Sequence, residues 1–175
     1  GSSEHEKIHG LFDPSVVYPL FANGLRRKDK TTVNEHMQEI GYLFSSFSKV
    51  ASKNKYAWFP LYRSAEEIYK IKPENRVVGF PYTKYMNSIM RVNQSAALVM
   101  MSAKKARELR VPESKWIFLQ AGACLNEIWN VTERINFHSS PAIKKCVHSA
   151  LKMANLKLEN LDFLDIYSCF PCAVQ

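Results

Sequence analysis

The stretch Leu161-Asp162-Phe163-Leu164-Asp165-Ile166-Tyr167-Ser168-Cys169-Phe170-Pro171-Cys172-Ala173-Val174-Gln175 decides how the chain is read. Leu161 to Ile166 is an apolar run consistent with a buried strand. At Tyr167 it empties into a polar turn that bears two cysteines. Where such a strand hands over to a helix, α/β enzymes place their chemistry, because the strand ends gather in one crevice. Only three residues follow Cys172. The stretch therefore predicts both an active-site loop and an incomplete chain.

Upstream of this strand, Ser140 and Pro141 open an expected helix. Ile143, Val147, Ala150, Leu151 and Ala154 fall on one of its faces. The continuous apolar run Ala96 to Met101 predicts a strand buried on both faces, and Ser102 caps a helix from Ala103 to Leu109. Trp116 to Leu119 and Val77 to Phe80 read as further strands, with Pro81 to Lys84 as a loop. Strand, helix, strand, then helix, strand indicates a layered α/β sheet from residue 77 onward.

Residues 1–76 have a different texture, of helices and loops without a sheet of their own. Asp13 and Pro14 begin a helix to about residue 28, with Val17, Leu20, Phe21 and Leu25 as its apolar stripe. Thr32 with Glu35 three residues on is the reciprocal capping pattern. The helix it starts carries Val33, Met37, Ile40, Phe44, Phe47 and Val50 to about Ala51. Ser64 caps a short helix from Ala65 to Lys70, and Pro73-Glu74-Asn75 is a turn.

A chain of 175 residues, 46% hydrophobic and 12% aromatic, can bury a real core, which argues against disorder. Its 24 basic and 16 acidic residues give a net charge of +8, which favours anionic partners such as nucleotides, phosphorylated cofactors or nucleic acid. No apolar run is long enough for a membrane span, and the polar residues at Glu4 to Lys7 do not read as a signal peptide. Four cysteines do not make a secreted disulfide scaffold. We expect a reducing intracellular compartment, the cytoplasm first, with mitochondria and peroxisomes as alternatives.

Three chemistries compete for the motifs. Cys169-Phe-Pro-Cys172 has the spacing of a thiol redox pair, but a thioredoxin places that motif early in its fold. Zinc would need two more ligands, and neither Cys124 nor Cys146 has a second ligand at short spacing. The cations Lys104, Lys105, Arg107, Arg110 and Lys115 are interleaved with Glu108 and Glu113, and the aromatics form no RNA-binding pattern, so we expect a solvated helix face and no nucleic-acid partner. His36 and His148 fall on expected solvent faces, and His138 precedes a helix cap. No glycine-rich phosphate loop is present.

Three segments in order resemble the thiolase superfamily. Val92-Asn93-Gln94-Ser95-Ala96-Ala97-Leu98-Val99-Met100-Met101-Ser102-Ala103-Lys104-Lys105-Ala106 is similar to that family's Asp-Gly-Ala-Ala-Ala strand and Ser-x-x-x-Ala helix. Ser140-Pro141-Ala142-Ile143 opens a helix like the one before the active-site strand. Asp165 to Phe170 lines up with the Asn-Glu-Ala-Phe motif, and more closely with the His-Asp-Cys-Phe motif of sterol-carrier-protein-type thiolases. Asn75-Arg76, Pro81-Tyr82-Thr83-Lys84 and Tyr167-Ser-Cys-Phe-Pro are similar to an acetyl-CoA acetyltransferase subgroup.

The resemblance implies a layered α-β-α-β-α architecture, only part of it present. Residues 1–76 would be a helical and loop-region segment, and residues 77–175 the start of the C-terminal α/β half. It implies acyl transfer with C–C bond formation or cleavage between coenzyme A thioesters, in a homo-oligomer, with no covalently bound cofactor. Tyr167 takes the position of the Asn or His that orients an oxyanion-hole water. Phe170 matches the wall of the acyl-CoA tunnel, and Ser168 and Cys169 match its neighbours. None of the four cysteines matches a catalytic position, and the Gly-His-Pro and Cys-x-Gly motifs would lie beyond Gln175. The chain alone is therefore expected to be inactive. The alternatives are a degenerate thioester-binding protein, which Tyr167 suggests, and the thiol redox module.

Overall fold

The computed structural model describes residues 2–175. Six helices, α1 (Glu4–Ile8), α2 (Pro14–Asp29), α3 (Val33–Ala51), α4 (Ala65–Tyr69), α5 (Ala103–Glu108) and α6 (Pro141–Ala154), alternate with single 3₁₀ turns and extended chain. Strands β1 (Val77–Gly79) and β2 (Tyr82–Thr83) pair antiparallel, Val77 opposite Thr83 and Gly79 opposite Tyr82.

Local chemistry fixes most helix starts. Asp13, Thr32, Ser64, Ser102 and Ser140 are all N-caps whose side chains accept a backbone N–H in the first turn. Thr32 and Ser64 complete capping boxes with Glu35 and Glu67. Two helices stop where the backbone turns left-handed, α2 at Lys30 (φ 58°) and α6 at Asn155 (φ 53°).

The core is made by Ala22 of α2, Met37 and Ile40 of α3, Ile68 of α4, Tyr82 of β2, then Met86 and Phe170. It draws on residues from both sides of position 76. In α2 the buried positions are Pro19 and Ala22, and Val17, Leu20, Phe21 and Leu25 are only half-buried. The expected stripe is thus rotated toward Pro19. That proline has no N–H to offer the Ser15 carbonyl. The freed carbonyl lies against Gly79, where a Cβ would sit 2.0 Å from the Ser15 oxygen. Only glycine lets the hairpin approach α2 so closely.

His36, expected on a solvent face, is 2% exposed inside this packing. Burial pushes its imidazole below the usual histidine range, since the charged form loses solvation; the Glu39 carboxylate opposes that, and the Arg26 cation adds to it.

The chain beyond the hairpin differs from expectation. Residues 96–101, 116–119 and 161–166 form no ladder, and among the described residues the hairpin is the only sheet. The loop expected at Pro81 to Lys84 instead supplies β2. An apolar run becomes a strand only when a neighbour accepts its backbone hydrogen bonds, and none does here. The side chains stay in solvent: Leu98 is 81%, Ile117 94% and Phe163 94% exposed. Helix α6 forms as expected but buries none of its residues.

The N-terminal helix was not anticipated, although Ser3 and Glu6 carry the same capping signal as Thr32 and Glu35. Glu6 also reaches across the chain. Its carboxylate accepts the backbone N–H and the hydroxyl of Thr132, both at 2.9 Å. Those bonds, the Thr132 N–H first, lower its pKa from 4.5 to about 2.

Two outcomes are expected. Open strand edges and bare apolar faces seek partners, so the chain self-associates or retains a partner fragment; a monodisperse monomer in light scattering would contradict this. The depressed pKa of Glu6 means its stabilisation is complete above 4.5 and is lost as pH falls toward about 2. Glu6→Gln should therefore flatten the acid side of a plot of thermal midpoint against pH.

Candidate functional site

The loop after residue 166 is the part of the C-terminal stretch that packs. Its anchor is Phe170, 8% exposed. The ring stacks on Tyr18 of α2 with centroids 4.4 Å apart and planes 8° from parallel, and meets Tyr82 of β2 at 5.7 Å and 44°. The Cys169 carbonyl accepts the Ser88 backbone N–H at 3.0 Å. Pro171 is buried, and Pro171–Ala173 forms a 3₁₀ turn.

The surface that receives this loop is organised by Asn75, which is fully buried. Its Nδ2 donates to the carbonyls of Glu67, Ile68 and Lys70 at 3.0, 2.8 and 3.0 Å, and its Oδ1 accepts the Tyr85 N–H at 2.9 Å. The Thr83 hydroxyl donates to the Ile68 carbonyl at 2.6 Å. These bonds bind the end of α4 to the hairpin and place Tyr82 beneath Phe170. Arg63 lies over the Tyr85 ring at 3.8 Å. Asn75-Arg76, Pro81 to Lys84 and the loop at Tyr167, far apart in sequence, thus meet in one place.

Tyr167 is 85% exposed. Its hydroxyl lies 2.9 Å from the Cys169 sulfur, and this bond raises the phenol's pKa above its ordinary value. Ser168 Oγ donates to the Phe170 carbonyl and tightens the turn. Cys169 is half-buried against the core. The structure therefore brings Tyr167, Ser168, Cys169 and Phe170 into one loop, with Phe170 as foot and Tyr167 as the outward group.

Cys169 and Cys172 face different neighbours. Cys172 lies beside Tyr82, and burial raises its thiol pKa, the opposite of what an attacking thiol needs. The Tyr82 hydroxyl is buried without a hydrogen-bond partner. Burial first, then the charge of Cys172, holds this phenol far above its ordinary range. All four cysteines are free thiols. Among the described residues no group of three or more His, Cys, Asp or Glu converges as a metal site would require. The segment 92–106 lies in the open part of the chain, outside the core cluster, with Ala106 its one buried residue. The sequence did not single out Tyr18. Its i, i+4 spacing to the buried Ala22 is the signal that marks it.

No family model matches the chain. It is 27% identical over 167 residues to an acetyl-CoA acetyltransferase of Methanocaldococcus jannaschii, covering 95% of this chain and 40% of that protein. It superposes with a TM-score of 0.90, at 38% identity, on the crystal structure of a monomeric SCP2-thiolase-like protein type 1 from Mycobacterium smegmatis; the match covers 99% of this chain and 38% of that one. The chain thus spans about two fifths of the length of these relatives. The resemblance to the thiolase superfamily, on its sterol-carrier-protein side, holds. The chain is thiolase-like in fold, a partial stretch of a layered α/β architecture, and of these relatives one is an acetyltransferase and the other a thiolase-like protein by name. No helix is long and apolar enough to cross a membrane.

Phe170 should carry much of the loop's attachment. Phe170→Ala is expected to cost about 3–5 kcal/mol, the usual range for removing a buried aromatic. A denaturant titration that shows no loss would place the anchor elsewhere.

Proposed function

We propose that this thiolase-like chain is part of an acyl-CoA acyltransferase, which moves an acyl group between coenzyme A thioesters with formation or cleavage of a C–C bond. The observation that carries the reading is the loop geometry: Phe170 pins the loop into the core while Tyr167 projects its hydroxyl outward. A phenol with a raised pKa stays protonated at neutral pH and remains a hydrogen-bond donor.

In this reading Tyr167 orients the oxyanion-hole water beside the thioester oxygen, where negative charge develops. Ser168 and the foot of Phe170 fix its position, and Cys169 holds the phenol between turnovers through the 2.9 Å contact. Phe170 and the Cys169 side chain form part of the acyl-CoA wall. The nucleophilic cysteine belongs to sequence outside this stretch, since no cysteine here sits at a catalytic position of the resemblance. The chain alone does not carry out condensation or thiolysis.

The measurement is made on the longer protein. Incubation with acetyl-CoA should leave an acylated cysteine detectable by mass spectrometry, and Tyr167→Phe should lower kcat about 10²-fold, as the loss of an oxyanion-hole contact does. Thioester binding without acylation would sink the enzyme and favour a degenerate binding protein. That alternative draws on a specific observation, the tyrosine at a position where the resemblance expects Asn or His.

A further inference from the structure

The interior of the turn between α2 and α3 is polar where packing asks for apolar side chains. Helix α3 has Thr32 as its N-cap, so Thr31 stands just before the cap and His36 at the fourth helical position. An apolar pair at these two places commonly staples the chain as it enters a helix. Here both side chains are polar. Thr31 Oγ1 and His36 Nε2 are buried, and among the described residues neither has a hydrogen-bond partner. Polar atoms left in this way cost free energy that an apolar pair of similar shape would not. Packing alone therefore has no need of an imidazole at this position.

The surroundings make the charge state of that imidazole matter. His36 is 2% exposed and shares the buried face of α3 with Met37 and Ile40. The charged groups that act on it come from both helices: Arg26 and Asp29 of α2, and Glu39 of α3. Arg26 also closes the turn. Its Nη1 donates to the Thr31 carbonyl at 3.2 Å and its Nε to Asn23 Oδ1 at 3.4 Å. A proton on His36 adds a second cation to the one that closes the turn, in a place shielded from water. The carboxylates of Asp29 and Glu39 favour that proton, but both residues are exposed, and solvent weakens their pull.

We infer that His36 is an acid-operated latch on the α2–α3 turn: neutral, it stays buried while Arg26 holds the Thr31 carbonyl; protonated, it must reach water, and the turn opens to release it. The step is the uptake of one proton from solvent by the imidazole. Helix α2 also carries Tyr18, on which Phe170 stacks at 4.4 Å, so the latch acts on the helix that the loop rests on. The sign follows from burial, which lowers the imidazole's pKa in the closed form. Nothing is lost above the ordinary histidine value of 6.5. As pH falls below it, the opened chain takes up the proton and the closed chain does not, so the closed form loses ground.

Hydrogen exchange on the 175-residue chain tests this between about pH 8 and 5, with protection expressed relative to the unstructured chain. The open population at residues 26–36 should rise below 6.5 by up to about tenfold per pH unit, the limit for one proton. Residues 65–86 should keep their protection. Glu6 loses its stabilisation below 4.5 and stays out of this window. His36→Phe and His36→Gln, which cannot take up the proton, should remove the pH dependence at 26–36. An unchanged pH dependence in these variants overturns the latch. So does a parallel loss at residues 65–86, which would mean that the whole core titrates. An NMR titration of the unsubstituted chain needs no variant to fold: the His36 ring should titrate below 6.5, and a midpoint at or above that value overturns the latch as well.

Discussion

Everything ordered around the loop depends on one buried carboxamide. Asn75 is fully buried and makes bonds to three carbonyls at the end of α4 and one N–H at Tyr85. Helix ends leave carbonyls without partners, and burying them unpaired is costly. A side chain with donors and an acceptor on one planar group solves this and locks the next segment in the same step. The hairpin then holds Tyr82 at a fixed height, and Tyr82 with Tyr18 makes the slot that Phe170 fills. No aliphatic side chain could replace it, because the α4 carbonyls would be left bare.

The molecule divides by how it satisfies its backbone. From α2 to Met86 each element closes its hydrogen bonds locally through caps, the hairpin and Asn75, and a core forms. From there to Tyr167 the apolar runs have no strand neighbours and remain exposed, while the helices α5 and α6, which satisfy their own backbones, form regardless. The superposition covers 99% of the chain at a TM-score of 0.90, so the open segments follow the same backbone path as the relative. That path without its pairing is what an apolar strand looks like when the neighbours it needs are not among its contacts.

This explains what the sequence made legible. Helix starts were readable because a cap is a local device: Asp13, Thr32, Ser64, Ser102 and Ser140 each act within one turn. Of the strands only the one from Val77 was, as β1; the run at 96–101 reports only that a residue is apolar and says nothing of a partner for its amides. His36 was misplaced because the face of α3 that turns inward is set by α2 and α4. The partnership of Tyr18 with Phe170 spans most of the chain, and no periodicity encodes it. The family resemblance worked where spacing failed, since the motif at Tyr167 carries information about a whole fold.

Tyr167 illustrates how a site can be fixed in place without being buried. Its neighbours Cys169 and Phe170 are held by the Ser88 N–H and by the aromatic slot, so the backbone at 168–170 has little freedom. The phenol above them is exposed and has a thiol 2.9 Å away as its hydrogen-bond partner. A sulfur is a weak acceptor, so exchanging it for an oxygen costs little. An asparagine or histidine could do the same work with a shorter reach. With tyrosine the hydroxyl stands farther from the backbone, and in the proposed role the space it would polarise lies correspondingly farther out. The loop's anchoring is what makes that displacement a defined one, because a longer lever carries positional precision only when its base does not move.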